Sequence, residues 1–123
     1  MEHAAGRILI IDPDTKFRRE CAALLKKENY DVETVNGIPE ALKKISGHEF
    51  DCLIIDVNLP GMKGYEVVPF LKNMNANIKI IITTRKNTKR LETKVREQDI
   101  FYYFIKSFGK DELIMAIKNV FNP

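Results

Sequence analysis

The chain has 123 residues, of which 45% are apolar and 30% charged, and this predicts one soluble globular domain over residues 1–123. A formal net charge of +3 is too small to indicate direct nucleic-acid binding. No apolar run approaches the ~20 residues of a membrane-spanning helix, so we expect no membrane association.

The two cysteines indicate a reducing compartment. Cys21 and Cys52 lie among apolar residues, without CxxC spacing, and no secretory leader is visible. We therefore expect reduced core thiols and a cytoplasmic protein.

Five short runs rich in β-branched and aromatic residues are predicted to be strands. They are RILII (7–11), DVETV (31–35), DCLIID (51–56), KIIIT (79–83) and FYYFI (101–105). The first, third and fourth runs are apolar almost throughout, which is typical of strands covered on both faces.

Four of the segments that follow these runs carry apolar residues at helical spacing. The stripes are Phe17, Cys21, Leu24 and Leu25; Ala41, Leu42 and Ile45; Val67, Val68, Leu71 and Met74; and Leu113, Ile114, Ile117, Val120 and Phe121. Pro39 is tolerated at the start of the second helix, whereas Pro69 predicts that the third helix starts late or bends.

The remaining segment, residues 85–99, has nine charged residues in fifteen and only Leu91 and Val95 as apolar anchors. It predicts a marginal fourth helix. Strands that alternate with helices form right-handed crossovers and a parallel sheet, so the expected fold is a doubly wound (βα)5 domain of the α/β class.

Polar residues stand at the carboxyl ends of the predicted strands, where ligands bind in open parallel sheets. They are Asp12, Asp14, Asp56, Thr83 and Lys106. Crowded carboxylates repel one another unless a cation lies among them, and oxygen ligands suit Mg²⁺. A lysine can pair with a carboxylate or with phosphoryl oxygens.

Each of these residues also has a purely structural interpretation. Asp12 would cap the first helix with Pro13 at its first position, Thr83 would be an ordinary strand residue, and Lys106 would extend its ammonium into water. Their joint occurrence at strand ends favours a functional site.

The segment LIIDVNLPGMKGYEV (53–67) resembles the phosphoacceptor segment of bacterial response-regulator receiver domains. RILIIDPD, IIITT and YYFIKSF extend the resemblance over essentially the whole chain. It implies a flavodoxin-like receiver fold with a five-stranded parallel sheet of order 2-1-3-4-5.

The resemblance implies that Asp56 accepts a phosphoryl group from a histidine kinase or a phosphotransfer protein. Thr83 and Lys106 would bind the phosphoryl oxygens, and Thr83 and Tyr103 would form the conformational switch. On phosphorylation Thr83 would move toward Asp56, and the ring of Tyr103 would enter the space that Thr83 leaves. Such a domain is a signalling protein rather than an enzyme.

A Mg²⁺ site is also implied by the resemblance. Asp12, Asp56 and the backbone carbonyl of Asn58 would form it, and Asp14 is a further candidate ligand. The family usually has a second acidic residue directly after the first, where this chain has Pro13. We therefore expect weak Mg²⁺ binding.

Two further positions, Ser107 and Thr84, depart from the family pattern. Ser107 replaces a cis proline after Lys106, so we expect a trans peptide bond and an altered placement of the lysine. Thr84 stands where the family prefers a small residue. Arg85 could cover a phosphoryl group or be a solvated loop arginine.

The departures leave two other hypotheses open. One is a pseudo-receiver, an interaction module that works without phosphorylation. The other is a haloacid-dehalogenase-type phosphatase with Asp12 as nucleophile and Asp14 as acid/base, although Lys16 stands where its loop has threonine. A flavodoxin is less favoured, because the first loop lacks a Ser/Thr run for a flavin phosphate.

The expected output surface comprises residues 85–105 and the fifth helix. Its predicted partner is a second copy of this chain or an acidic output protein. The end of the chain just after the fifth helix fits a complete receiver or one cut from a longer protein.

Overall fold

A computed structural model describes residues 5–123. The strands of its main sheet are β1 (Arg7–Ile11), β2 (Asp31–Val35), β3 (Cys52–Asp56), β4 (Lys79–Thr84) and β5 (Tyr102–Ile105). The α-helices are α1 (Thr15–Lys27), α2 (Ile38–Gly47), α3 (Val68–Met74), α4 (Lys89–Arg96) and α5 (Lys110–Phe121). Every predicted strand is present, and each observed boundary lies within one residue of the prediction.

The five strands pair in parallel in the order 2-1-3-4-5, as predicted. This is a flavodoxin-like receiver fold. Asp56 at the end of β3 is in register with Thr83 of β4, and Thr83 is in register with Phe104 of β5. The register therefore fixes which side chains meet at the carboxyl edge of the sheet.

Two apolar layers cover the sheet, because alternate residues of each strand point to opposite faces. On one face Leu53 and Ile55 pack with α2, α3 and α4, and on the other Ile8 and Ile54 pack with α1 and α5. Tyr103 belongs to the first layer and Phe104 to the second, because neighbouring residues of β5 point to opposite faces.

A close approach at Gly64 shapes the loop after β3. A Cβ atom at this position would lie 2.1 Å from the backbone oxygen of Asp56, so no larger residue fits without a shift of the backbone. Gly64 opens a 3₁₀ turn (Gly64–Val67), and α3 begins only at Val68, with Pro69 as its second residue. The expectation that the third helix starts late is confirmed.

The fourth helix is short, with eight residues, and Thr88 caps its amino end by accepting a hydrogen bond from the Leu91 amide. Only Val95 among its residues is buried. Its contact with the core is thus as sparse as its sequence indicates.

Cys21 and Cys52 are buried free thiols, in agreement with the expectation. Burial raises the pKa of Cys21 to about 12 and raises the pKa of Cys52 as well. Over residues 5–123, no helix combines the length and the apolar character that crossing a membrane requires.

Candidate functional site

Four polar side chains meet at the carboxyl edge of the sheet. Asp56 ends β3, Thr83 lies beside it in β4, and Asp12 and Lys106 directly follow β1 and β5. Asp12, Asp56 and Thr83 are 1%, 6% and 0% exposed. The structure thus brings together four of the residues that the sequence placed at this edge.

Three donors are directed at the Asp56 carboxylate. Thr83 Oγ1 donates a hydrogen bond to Oδ1 (3.1 Å), and Lys106 Nζ lies 3.0 Å from the same oxygen. The backbone amide of Asn58 donates to Oδ2 (2.9 Å). Fixed donors of this kind can stabilise negative charge that a reaction adds to the carboxylate.

Asp12 is the second buried carboxylate of the site. Its Oδ1 accepts a hydrogen bond from the Asp14 amide (2.9 Å), and its Oδ2 lies 2.8 Å from Lys106 Nζ. This second approach lacks hydrogen-bond geometry, so Oδ2 is the one buried side-chain oxygen or nitrogen in residues 5–123 without a hydrogen bond. Burial raises the pKa of Asp12, and the charge of Asp56 acts in the same direction, while the contact with Lys106 opposes both.

Asp14 is directed to other partners. Its Oδ1 accepts a hydrogen bond from the Phe17 amide (3.1 Å), and its Oδ2 lies 2.7 Å from Arg85 Nη2. The bond from Phe17 is the main cause of its lowered pKa. Both carboxylate oxygens of Asp14 therefore have partners other than Asp12 and Asp56.

The helix cap differs from the sequence interpretation. Asp14, not Asp12, caps α1, which begins at Thr15, so the placement of Pro13 at the first helical position is wrong. The reason is an extra turn, closed by the bond from the Asp14 amide to Asp12, which separates β1 from the helix.

Lys106 begins a 3₁₀ turn (Lys106–Phe108), and its ammonium lies between the carboxylates of Asp12 and Asp56. The described residues contain no cis peptide bond, so the bond from Lys106 to Ser107 is trans, as expected. The Lys106 side chain thus reaches Asp12 and Asp56 although serine, not proline, follows it.

The ring of Tyr103 is buried, with 8% of the residue exposed. Its hydroxyl donates a hydrogen bond to Asn87 Oδ1 (2.7 Å), in the loop that precedes α4, and the Arg96 guanidinium lies 5.9 Å from the ring centre. Burial is the main cause of the raised pKa of Tyr103. The role of Asn87 was not predicted, because nothing in the neighbouring sequence distinguishes it from an ordinary loop asparagine.

Thr84 and Arg85 directly follow Thr83. Thr84 is buried and donates its hydroxyl to the backbone oxygen of Lys86 (2.9 Å), which tightens the turn after β4. Arg85 is a largely solvated loop arginine that bridges to Asp14 at 2.7 Å.

The donor set for a metal is limited. The described part of the chain has no group of three or more His, Cys, Asp or Glu side chains arranged to hold a metal ion. Asp12, whose Oδ2 lacks a hydrogen bond, and Asp56 bring two buried carboxylates to this edge, and such hard oxygen donors are the ones that Mg²⁺ prefers. These residues fit Mg²⁺ if water completes the octahedral shell.

The response regulator receiver domain family matches residues 8–118 of the chain. The chain belongs to this family. The matched span contains Asp12, Asp56, Thr83 and Lys106, so family membership and the geometry of the site concern the same residues.

Known proteins share the sequence and the fold. The DNA-binding transcriptional regulator NtrC of Bradyrhizobium sp. strain RP501 is 28% identical over 113 residues, which cover 92% of this chain but only 24% of that protein. The CheY-like receiver domain protein of Methanospirillum hungatei JF-1 is 26% identical, with a TM-score of 0.87, and the match covers 95% of this chain and 94% of that one.

A third likeness is to the response regulator TrrA of Thermotoga maritima, solved in complex with Mg²⁺ and beryllofluoride. It is 31% identical with a TM-score of 0.81, and the match covers 94% of this receiver and 98% of the TrrA chain. These matches indicate no enzyme family. The family match supports a receiver rather than the phosphatase hypothesis, whose intended acid/base Asp14 is the cap of α1.

Proposed function

We propose that this receiver accepts a phosphoryl group on Asp56 from a histidine kinase or a histidine phosphotransfer protein in the cytoplasm. One observation carries the proposal. The Asp56 carboxylate is contacted at once by the Thr83 hydroxyl, the Lys106 ammonium and the Asn58 amide, at 2.9–3.1 Å. An exposed or purely structural aspartate does not require this set of donors.

The proposed reaction is a phosphoryl transfer between two side chains. A carboxylate oxygen of Asp56 attacks the phosphorus of a phosphohistidine, the P–N bond breaks, and the released imidazole takes up a proton from water. The product is an acyl phosphate. Thr83 and Lys106 are placed to donate to the phosphoryl oxygens, which carry about two negative charges.

Mg²⁺ would be held by Asp12, Asp56 and the Asn58 carbonyl. When bound, it supplies positive charge that offsets the charge of the carboxylates and the phosphoryl group. Weak affinity is part of the proposal, because Pro13 has no side-chain oxygen and the carboxylate of Asp14 is engaged by Phe17 and Arg85.

The proposed output surface is α4, β5 and α5. In this proposal phosphorylation shifts Thr83, which donates to Asp56, and Tyr103 passes the change to the loop before α4, where its hydroxyl donates to Asn87. Residues 85–99 carry six basic and three acidic residues. An acidic output protein or a second copy of this receiver is the partner we propose for this surface.

Intact-mass measurement after incubation with acetyl phosphate and Mg²⁺ tests the proposal. The wild-type protein should gain about 80 Da, the mass of one phosphoryl group. Asp56→Asn should abolish the gain, and Asp99→Asn, a change at a side chain that is 82% exposed, should retain it. A gain that persists in Asp56→Asn would disprove the assignment.

A pseudo-receiver is the second candidate, and a specific observation favours it. Pro13 supplies no side-chain oxygen where the family has an acidic residue, and Phe17 and Arg85 engage both carboxylate oxygens of Asp14. A receiver that binds its metal poorly is suited to act through its output surface without phosphorylation. A wild-type protein that gains no mass from acetyl phosphate or a phosphorylated kinase, yet binds its partner, would establish this alternative.

A further inference from the structure

The ammonium of Lys106 lies over the face of an aromatic ring. Its Nζ is 4.2 Å from the ring centre of Phe17, a residue of α1 that is 6% exposed. The same ammonium is 2.8 Å from Asp12 and 3.0 Å from Asp56. Two carboxylates and one ring face therefore surround the charge that the proposed phosphotransfer requires.

The ring adds a third restraint to the Lys106 ammonium, beside the two carboxylates. Lysine has a long flexible stem, and Ser107 follows Lys106 where the family has a proline. A second cation, Lys110, lies 5.9 Å from the same ring centre but pairs with Glu20 at 3.6 Å. Lys106 is thus the cation that makes the close contact.

A leucine at position 17 could fill most of the same volume, but it could not attract the ammonium. An aromatic face attracts a cation through its quadrupole, most strongly where water is excluded. The Phe17 amide also donates to the carboxylate of Asp14, which fixes the start of α1 beneath the ring. The ring is therefore held in place by both the core and the helix cap.

We propose that Phe17 is a positioning residue that holds the Lys106 ammonium between Asp12 and Asp56. The functional consequence rests on the proposed phosphoacceptor role of Asp56. The contact itself can be tested without it.

The first experiment is a double-mutant cycle with urea unfolding of Phe17→Leu, Lys106→Met and the double variant. The Phe17→Leu change should lower the folding equilibrium constant about fivefold more when Lys106 is present than when it is methionine. Phe50→Leu is the matched control, because Phe50 is 5% exposed and lies in the other apolar layer. It should lower stability equally in both backgrounds.

An equal effect of Phe17→Leu in both backgrounds would overturn the proposal. Should a variant fail to fold, NMR of the Lys106 ε-methylene protons gives the same answer. Their upfield ring-current shift should be present in the wild-type protein and in Phe17→Tyr. Absence of the shift from the folded wild-type protein would equally overturn it.

The second experiment measures the rate of phosphorylation by acetyl phosphate. Phe17→Leu should slow phosphorylation about five- to tenfold, the size expected for one partly desolvated cation–π contact. Phe17→Tyr should keep the wild-type rate, because a tyrosine ring also attracts the ammonium. A wild-type protein that is never phosphorylated would refute the proposed function but leave the coupling result valid. Equal rates for the leucine and tyrosine variants would refute the positioning role.

Discussion

Arg85 lies 2.7 Å from the carboxylate of Asp14, and this ion pair joins the loop after β4 to the cap of α1. The arginine side chain is 71% exposed, so the pair itself contributes little to stability. The ion pair matters for the orientation of the Asp14 side chain, because it holds Oδ2 while Oδ1 caps α1. Both oxygens of Asp14 thus have partners other than Asp12 and Asp56.

Replacement of Pro13 by aspartate should therefore strengthen Mg²⁺ binding. One added anionic ligand should tighten binding about tenfold, equivalent to about 1.4 kcal/mol. Isothermal titration of Mg²⁺ into both proteins measures the difference. Asp14→Asn is the control, since asparagine can still cap α1, and it should leave the affinity unchanged. A loss of affinity in the control would show that Asp14 does bind the metal.

The buried Asp12 should make stability depend on pH. Its pKa is raised above the usual 3.8, mainly by burial, so the folded protein binds this proton more tightly than the unfolded chain does. Stability should therefore fall as pH rises through the interval between the unfolded and folded pKa values. Asp12→Asn should remove this penalty and unfold at higher urea than the wild-type protein at pH 7 without Mg²⁺.

The two proteins should converge below pH 3, where Asp12 is protonated in both states. Asp14 has a lowered pKa, so its own contribution is lost as pH falls through that lower value, and it affects both proteins alike. An Asp12→Asn variant that is less stable than the wild-type protein at pH 7 would contradict this prediction. It would mean that the pairing with Lys106 outweighs the cost of burial.

Gly64→Ala should distort the site from a position outside it. The added Cβ would lie 2.1 Å from the backbone oxygen of Asp56, and we expect a loss of about 1–3 kcal/mol in the free energy of unfolding. Gly47→Ala is the matched control, because nothing lies within 4 Å of its Cβ position. It should leave stability unchanged or raise it by up to about 1 kcal/mol. Equal stability of the two variants would contradict the close approach.

Sequence patterns were sufficient to predict those elements whose structure is determined by local chemistry. The apolar run of β3 and the position of Asp56 at its end are predictable, because a strand buried on both faces needs continuous apolar residues. The start of α1 was not predictable, because Asp12 and Asp14 are both good helix caps. The turn closed by the bond from the Asp14 amide to Asp12 determines which of them caps the helix. Arg85 pairs with a residue 71 positions away, and such a contact has no local signal.

The bond from Tyr103 to Asn87 should hold the loop before α4 in place. Asn87→Ala leaves a buried hydroxyl without this acceptor, so we expect a loss of about 1–2 kcal/mol in the free energy of unfolding. Backbone amides of residues 86–98 should exchange with deuterium faster than in the wild-type protein. In a Tyr103→Phe background the same substitution should cost much less, because the hydroxyl is already absent.

Hydrogen exchange also tests whether this loop responds to the state of Asp56. With only Val95 buried, α4 should exchange faster than the other helices in the wild-type protein. Beryllofluoride with Mg²⁺, as a mimic of the phosphoryl group, should change protection in residues 86–98, and the change should be smaller in Asn87→Ala if Tyr103 transmits it. Bound beryllofluoride without any change in exchange would exclude a switch through α4. Absence of both binding and change would favour the pseudo-receiver.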